Sequence, residues 1–254
     1  MKKLLAITAL SAALFFGQTA AAEEKAAEEV KPSHVEMVLV LDESGSMSNL
    51  TNDTIGGFNS MIEKEKKLDV DAHVTTVLFN DQYKMLYNRR ELKDVSKMTD
   101  KDYTPGGMTA LLDAVGRTIH KMDMVSGIHR KDKGNKVLFV IITDGEENDS
   151  REYTYADVKK LIKDRQENAG WEFIFLGANI DAAAAAENLG IDRDRAVKYK
   201  NTGSGVRANF KAVAELSDSL AKSGRVSDRW KETVEKDEDD AADKQSAAVT
   251  SHRR

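Results

Sequence analysis

Three runs constrain this chain more than any other feature. Residues 35–42 (VEMVLVLD), 137–144 (VLFVIITD) and 171–177 (WEFIFLG) are apolar at nearly every position. They lack the alternation of a strand with one face in water. Runs of strand length that are apolar on both faces belong to a sheet covered above and below, which is the environment of parallel strands. Parallel neighbours cannot be joined by a tight turn, so the intervals must carry crossover helices.

The intervals supply those helices. TIGGFNSMIEK sets Ile55, Phe58 and Ile62 at helical spacing, and TALLDAVGRTIHKM puts Leu112, Val115, Ile119 and Met122 on one face. Thr154 and Asp157 form a capping-box pattern ahead of Val158, Leu161 and Ile162. DAAAAAENLG is a short helix closed by Gly190, AVKY (196–199) a weaker strand, and a last helix from Ser204 carries Val206, Phe210, Val213 and Leu220. VDAHVTTVLF (70–79), the Asn80-Asp81 turn and QYKMLY form a hairpin. The expected fold is α/β: a doubly wound, mostly parallel central sheet with helices on both faces and one antiparallel edge hairpin. Gly56-Gly57 is expected to let a helix approach the sheet. Trp171 is expected to pack beside a strand, and Trp230 to pin the tail.

The ends are different in kind. Lys2 and Lys3, the apolar stretch LLAITALSAALFF and the small residues TAAA at 19–22 have the order of a secretory signal peptide. The apolar stretch is short for a bilayer span of about 20 residues. Expected boundaries are a signal peptide at 1–22, a linker at 23–34, one domain at 35–225 and a charged, disordered tail at 226–254. The protein is expected to be exported, periplasmic if the cell has two membranes and otherwise secreted. With no cysteine, the chain has no thiolate metal site, no cysteine nucleophile and no acylated anchor. A net charge of −5 argues against a nucleic-acid partner.

In doubly wound sheets ligands bind beyond the carboxyl ends of strands, where the strand order reverses. Two of the apolar runs end in an acid, at Asp42 and Asp144. DESGSM adds hydroxyls at Ser44 and Ser46 around one glycine, and TPGGMTALLDA (104–114) places Thr109 just before a helix. These five side chains offer only oxygen, the donor set of a hard divalent cation such as Mg²⁺ or Mn²⁺, with Ca²⁺ the poorer fit. Two carboxylates balance a dication, and neutral hydroxyls leave it able to take one more anionic oxygen. The bland alternative is that Asp42 and Ser44 merely cap the next helix. Glu43, Glu146, Glu147 and Asp149 are expected to form a solvated acidic rim, or else to add ligands for Ca²⁺.

D-x-S-x-S, a loop threonine and a T-D-G strand end, in that order, resemble the metal-ion-dependent adhesion site of von Willebrand factor type A domains. The resemblance spans about 35–225, with Met108 standing where many relatives run glycine directly into threonine. It implies that Ser44 and Ser46 bind metal directly and that Thr109 does so in the ligand-competent state. It also implies that Asp42 and Asp144 act largely through water, and that a Glu or Asp carboxylate of a protein partner completes the shell. A binding module rather than an enzyme follows. The competing readings are a metal-dependent phosphatase or hydrolase at the same crevice, and an accessory subunit docking through its acidic tail. An aspartyl-phosphate enzyme would want a second acid where Ser44 stands. Hydrolase motifs are missing, and His73 on a strand and His120 on a helix are expected to be structural. His34, His129 and His252 fall in the linker, a loop and the tail.

Overall fold

The computed structural model describes residues 34–67, 71–125 and 135–236. The signal peptide, linker residues 23–33, most of the tail, His129 and His252 lie outside the described residues. The elements run β1 (His34–Asp42), α1 (Thr51–Glu65), β2 (Ala72–Phe79), β3 (Tyr83–Glu91), α2 (Leu111–Asp123), β4 (Asn135–Thr143), α3 (Tyr155–Asp164), β5 (Glu172–Gly177), α4 (Ala182–Leu189), β6 (Ala196–Lys198) and α5 (Gly203–Ser223). The sheet order is β3-β2-β1-β4-β5-β6. Every neighbouring pair is parallel except β2 with β3, the edge hairpin. The doubly wound fold expected from the apolar runs is the one observed.

The alternation of strand side chains divides the core into two layers. Met37, Leu39 and Leu41 of β1 face one side, where Phe58 of α1 meets Phe210 of α5 edge to face at 6.3 Å. Val38 and Val40 face the other, against Val115 and Ile119 of α2 and Val158 and Ile162 of α3. Local signals hold at the helix ends. Thr154 and Asp157 make a reciprocal capping box, and Gly190 closes α4 in the left-handed region at φ 87°.

Four boundaries or roles differ from expectation. β1 begins at His34, inside the expected linker. α5 begins at Gly203 with the Thr202 hydroxyl accepting from the Gly205 amide, because the cap lies one turn ahead of the first apolar residue. Gly57 serves α5 rather than the sheet: a Cβ there would lie 2.5 Å from the Phe210 ring. The ordered fold also continues past residue 225. Residues 229–236 are helical, and Trp230 and Val234 are buried in the layer that holds α1 and α5. Trp230 was expected to pin the tail, but the charged composition of 231–254 hid Val234 four residues on, which completes a buried helical stripe.

Between α1 and α5 the Glu65 carboxylate is buried, with one oxygen accepting from the Ser217 hydroxyl at 2.5 Å and the other without a partner among the described residues. Burial pushes its pKa from 4.5 up to about 7, against the pull of Ser217. A folded value above the unfolded one makes this contribution to stability full below about 4.5, and it is lost as pH rises through 7. Glu65→Gln should therefore gain on the parent chain as pH rises from 5 to 8, by up to about 3 kcal/mol. Urea unfolding of both chains at each pH reads the difference, and a constant difference would refute it.

Candidate metal centre

The sheet order reverses between β1 and β4, which are direct neighbours. Asp42 and Asp144 therefore leave the sheet side by side. Both carboxylates are buried. Asp42 is held in place by its own turn: Oδ1 accepts from the Ser44 amide at 2.7 Å and Oδ2 from the Thr143 hydroxyl at 2.5 Å. Asp144 accepts from the Ser46 hydroxyl at 2.5 Å and from Asn201 Nδ2 at 3.3 Å.

The Ser44 side chain makes no capping bond to the 3₁₀ turn it begins. Its hydroxyl lies 3.1 Å from that of Ser46 instead. The helix-capping alternative for Ser44 is thereby not the geometry found. Three of the five residues singled out in the sequence thus have their oxygens in direct contact, and Asp42 stands behind them.

Thr109 reaches the same place through a stitched loop. The Gly106 amide donates to the Glu43 carbonyl at 2.9 Å, the Gly45 amide to the Gly107 carbonyl at 3.2 Å, and the Ala110 amide to the Asn80 carbonyl at 2.9 Å. Gly107 sits at φ 76°, where a Cβ would collide with Asp81, so only glycine takes that turn. From the other side Asn148 clasps Thr109, accepting from its amide at 2.9 Å and donating from its own amide to the Thr109 carbonyl at 3.0 Å. A Cβ at Gly145 would stand 3.8 Å from Thr109 Oγ1 and 3.9 Å from Ser46 Oγ. The two hydroxyls therefore face the same small space, and Met108 beside them is exposed.

The acidic rim needs correction. Glu43 is buried and accepts from the Thr104 amide and, at 3.3 Å, from the Thr104 hydroxyl. Glu147 accepts from the Leu112 amide at 2.9 Å, tying the loop to the first turn of α2, and from the amides of Asp149 and Ser150. Both acids hold loops in place, and Glu146 is the exposed one. Asn148 and Asn201 were not singled out in the sequence, and Thr143 entered only as the first residue of the T-D-G strand end. Short polar residues in loops carry no periodic signal, and only their placement reveals them.

Electrostatics ask for a cation. Among the described residues neither Asp42 nor Asp144 has a basic side chain within 4.0 Å. Burial pushes the Asp42 pKa up against the hydrogen bonds from Ser44 and Thr143, and the Asp144 charge adds to the push. Tyr199, buried with its hydroxyl unpartnered among the described residues, is raised well above 10 by burial and by both carboxylates. Two buried carboxylates without a counter-charge are strongly unfavourable. The oxygen donors and the uncompensated charge both fit a hard dication.

A family model described as the von Willebrand type A domain found in the TerF C terminus matches residues 34–190. Sequence comparison with curated proteins yields no match. Among solved structures, the von Willebrand domain of the type V pili tip protein Mfa5 from Porphyromonas gingivalis aligns at TM-score 0.52. Its identity is 13%, over 78% of this chain and 99% of that one. The PilB minor pilin of Streptococcus sanguinis, as a D319A mutant, aligns at TM-score 0.54 and 11% identity over 74% and 62%. Proximal thread matrix protein 1 from the mussel byssus, solved with a zinc-occupied adhesion motif, aligns at TM-score 0.50 and 15% identity over 73% and 46%. The alignment thus covers less than half of the mussel chain.

Proposed function

The chain belongs to the von Willebrand factor type A family, and from that premise we propose that it is a non-enzymatic, exported binding module whose Asp42, Ser44, Ser46, Thr109 and Asp144 hold Mg²⁺ or Mn²⁺ and clasp an acidic side chain of a protein partner. One observation carries the reading: hydroxyls and a carboxylate from two strand ends touch at 2.5–3.1 Å, above buried carboxylates that have no basic side chain within 4.0 Å among the described residues. The bound ion would supply an electrophilic position for an anionic oxygen. Ser44 and Ser46 contribute neutral donors that leave its charge largely unspent, while Asp42 and Asp144 supply the balancing negative charge. Ser46 is exposed, which opens the site to a partner. The zinc-occupied motif of the mussel structure supports placing the ion here. Export rests on the charged, apolar and small-residue order of residues 1–22.

Binding is favoured over turnover by the surroundings of Asp42. Its two oxygens are taken up by Ser44 and Thr143. Among the described residues no histidine bonds to any of the five side chains. Beside Gly145 a pocket of about 280 Å³, with Leu111, Phe175 and Ile180 in its lining, offers apolar contact next to the site. An affinity column of the full chain loaded with envelope extract in Mg²⁺ should release a specific protein on EDTA. The same protein should be missing from a Ser44→Ala column. Retention on that column, or indifference to EDTA, would exclude the metal clasp. Turnover of a generic phosphoester, lost in Asp42→Asn, would instead establish the hydrolase.

A further inference from the structure

His34, Glu36 and His73 meet at the other end of β1, roughly 25 Å from Asp42 at about 3.3 Å per residue. His34 and Glu36, two apart, project from one face of the strand, and the parallel register sets Glu36 beside His73 of β2. His34 Nε2 lies 2.7 Å from Glu36 Oε1 and 3.0 Å from His73 Nδ1, and His73 Nδ1 lies 3.4 Å from Glu36 Oε1. In a tetrahedral site with bonds of about 2.0–2.1 Å, neighbouring donors stand about 3.3 Å apart. The three atoms therefore outline one face of such a tetrahedron.

We propose that His34, Glu36 and His73 form a second metal site, for a borderline divalent ion of the Zn²⁺ or Co²⁺ class. Two imidazoles and a carboxylate select such ions, whereas the oxygen-only centre selects Mg²⁺ or Mn²⁺. The supporting contact is in place. His34 Nδ1 faces Asp71 Oδ2 at 3.2 Å. A carboxylate there holds the proton on Nδ1 and leaves the Nε2 lone pair for a metal, the usual outer partner of a ligating histidine.

Arg89 is the competitor. Its Nε bonds both oxygens of Glu36, at 3.0 and 3.2 Å, and its Nη2 bonds Oε1 and lies 3.2 Å from His73 Nδ1. The guanidinium thus contacts two of the three donor atoms and balances Glu36. An entering ion must displace Nη2, and Nε can stay on Oε2. Arg89 is brought there by a left-handed backbone, φ 47°, next to the irregular register of β2 and β3.

The test titrates Co²⁺ into the full chain carrying Asp144→Ala, in excess Mg²⁺, and reads visible absorption. The expected result is one equivalent bound with the intense bands of tetrahedral cobalt. Affinity should fall at least tenfold in His73→Gln and in Glu36→Gln, and rise severalfold in Arg89→Gln. As a control for folding, Zn²⁺ in excess Mg²⁺ should raise the melting temperature of the Asp144→Ala chain and leave that of the same chain carrying His73→Gln unchanged. No saturable binding, or an affinity untouched by His73→Gln, overturns the site. An unchanged affinity in Arg89→Gln overturns the competition.

Discussion

Asp144→Ala should reduce Mn²⁺ affinity on the order of 100-fold or more, measured by calorimetry, while the metal-free chain keeps its stability in urea. The two halves of this expectation have separate causes. A hard dication draws much of its binding energy from carboxylate charge, and removing one of two carboxylates removes half of it. In the metal-free chain the same carboxylate is buried near Asp42, and among the described residues Ser46 and Asn201 donate to it. Its loss relieves repulsion that no basic side chain within 4.0 Å offsets among the described residues.

Asp42→Ala makes the informative contrast. It should also lose the ion, but it strands the buried Ser44 amide and leaves the Thr143 hydroxyl only its longer bond, 3.2 Å, to the Gly145 carbonyl. Each unsatisfied donor costs about 1–3 kcal/mol. The pair of variants thus separates ligation from scaffolding. Retained Mn²⁺ binding in Asp144→Ala would contradict the metal centre, and equal destabilisation by both variants would contradict the division of roles.

Trp230→Ala should destabilise the fold by about 3–5 kcal/mol, the range for a fully buried large aromatic side chain. Trp230 has no exposed surface, lies in the layer that holds α1 and α5, and comes after the expected end of the domain. At about 2–4 °C per kcal/mol for a chain of this size, the melting temperature should drop by roughly 6–20 °C. Its indole nitrogen has no hydrogen-bond partner among the described residues. The contribution is therefore packing, and Trp230→Phe should recover most of it. Ending the chain at residue 225 should be at least as harmful as Trp230→Ala. A truncated chain of parental stability would mean that residues 226–236 only rest on the domain.

The expected helix after TPGGM and the expected strand ending in Asp144 were both visible as local patterns. Their meeting at one cation was expected from the shared oxygen chemistry and the family resemblance, while the bonds that bring it about were not. The Thr109 loop is set beside the Ser44–Ser46 turn by Asn148, Gly106 and Gly107, whose bonds join three loops separated by dozens of residues. Glu43 looked like a rim acid because burial cannot be read from an acidic letter in a loop. Its place under the Thr104 amide decides its role. The histidines show the same limit. His73 was expected to be structural and His34 to be linker, and only the pairing of Glu36 with His73 brings them together.

By itself the sequence determined the strands, the amphipathic helices, the one antiparallel hairpin and the identity of five oxygen-bearing residues at strand and helix ends. Those are set by periodicity and by side-chain chemistry, which act over a few residues at a time. The tertiary structure alone decided that β1 and β4 are neighbours, that Trp230 closes the core, and that His34 and Glu36 face His73. Such contacts form where burial of apolar surface outweighs the entropy of closing long loops, and that balance depends on the whole chain rather than on any stretch of it.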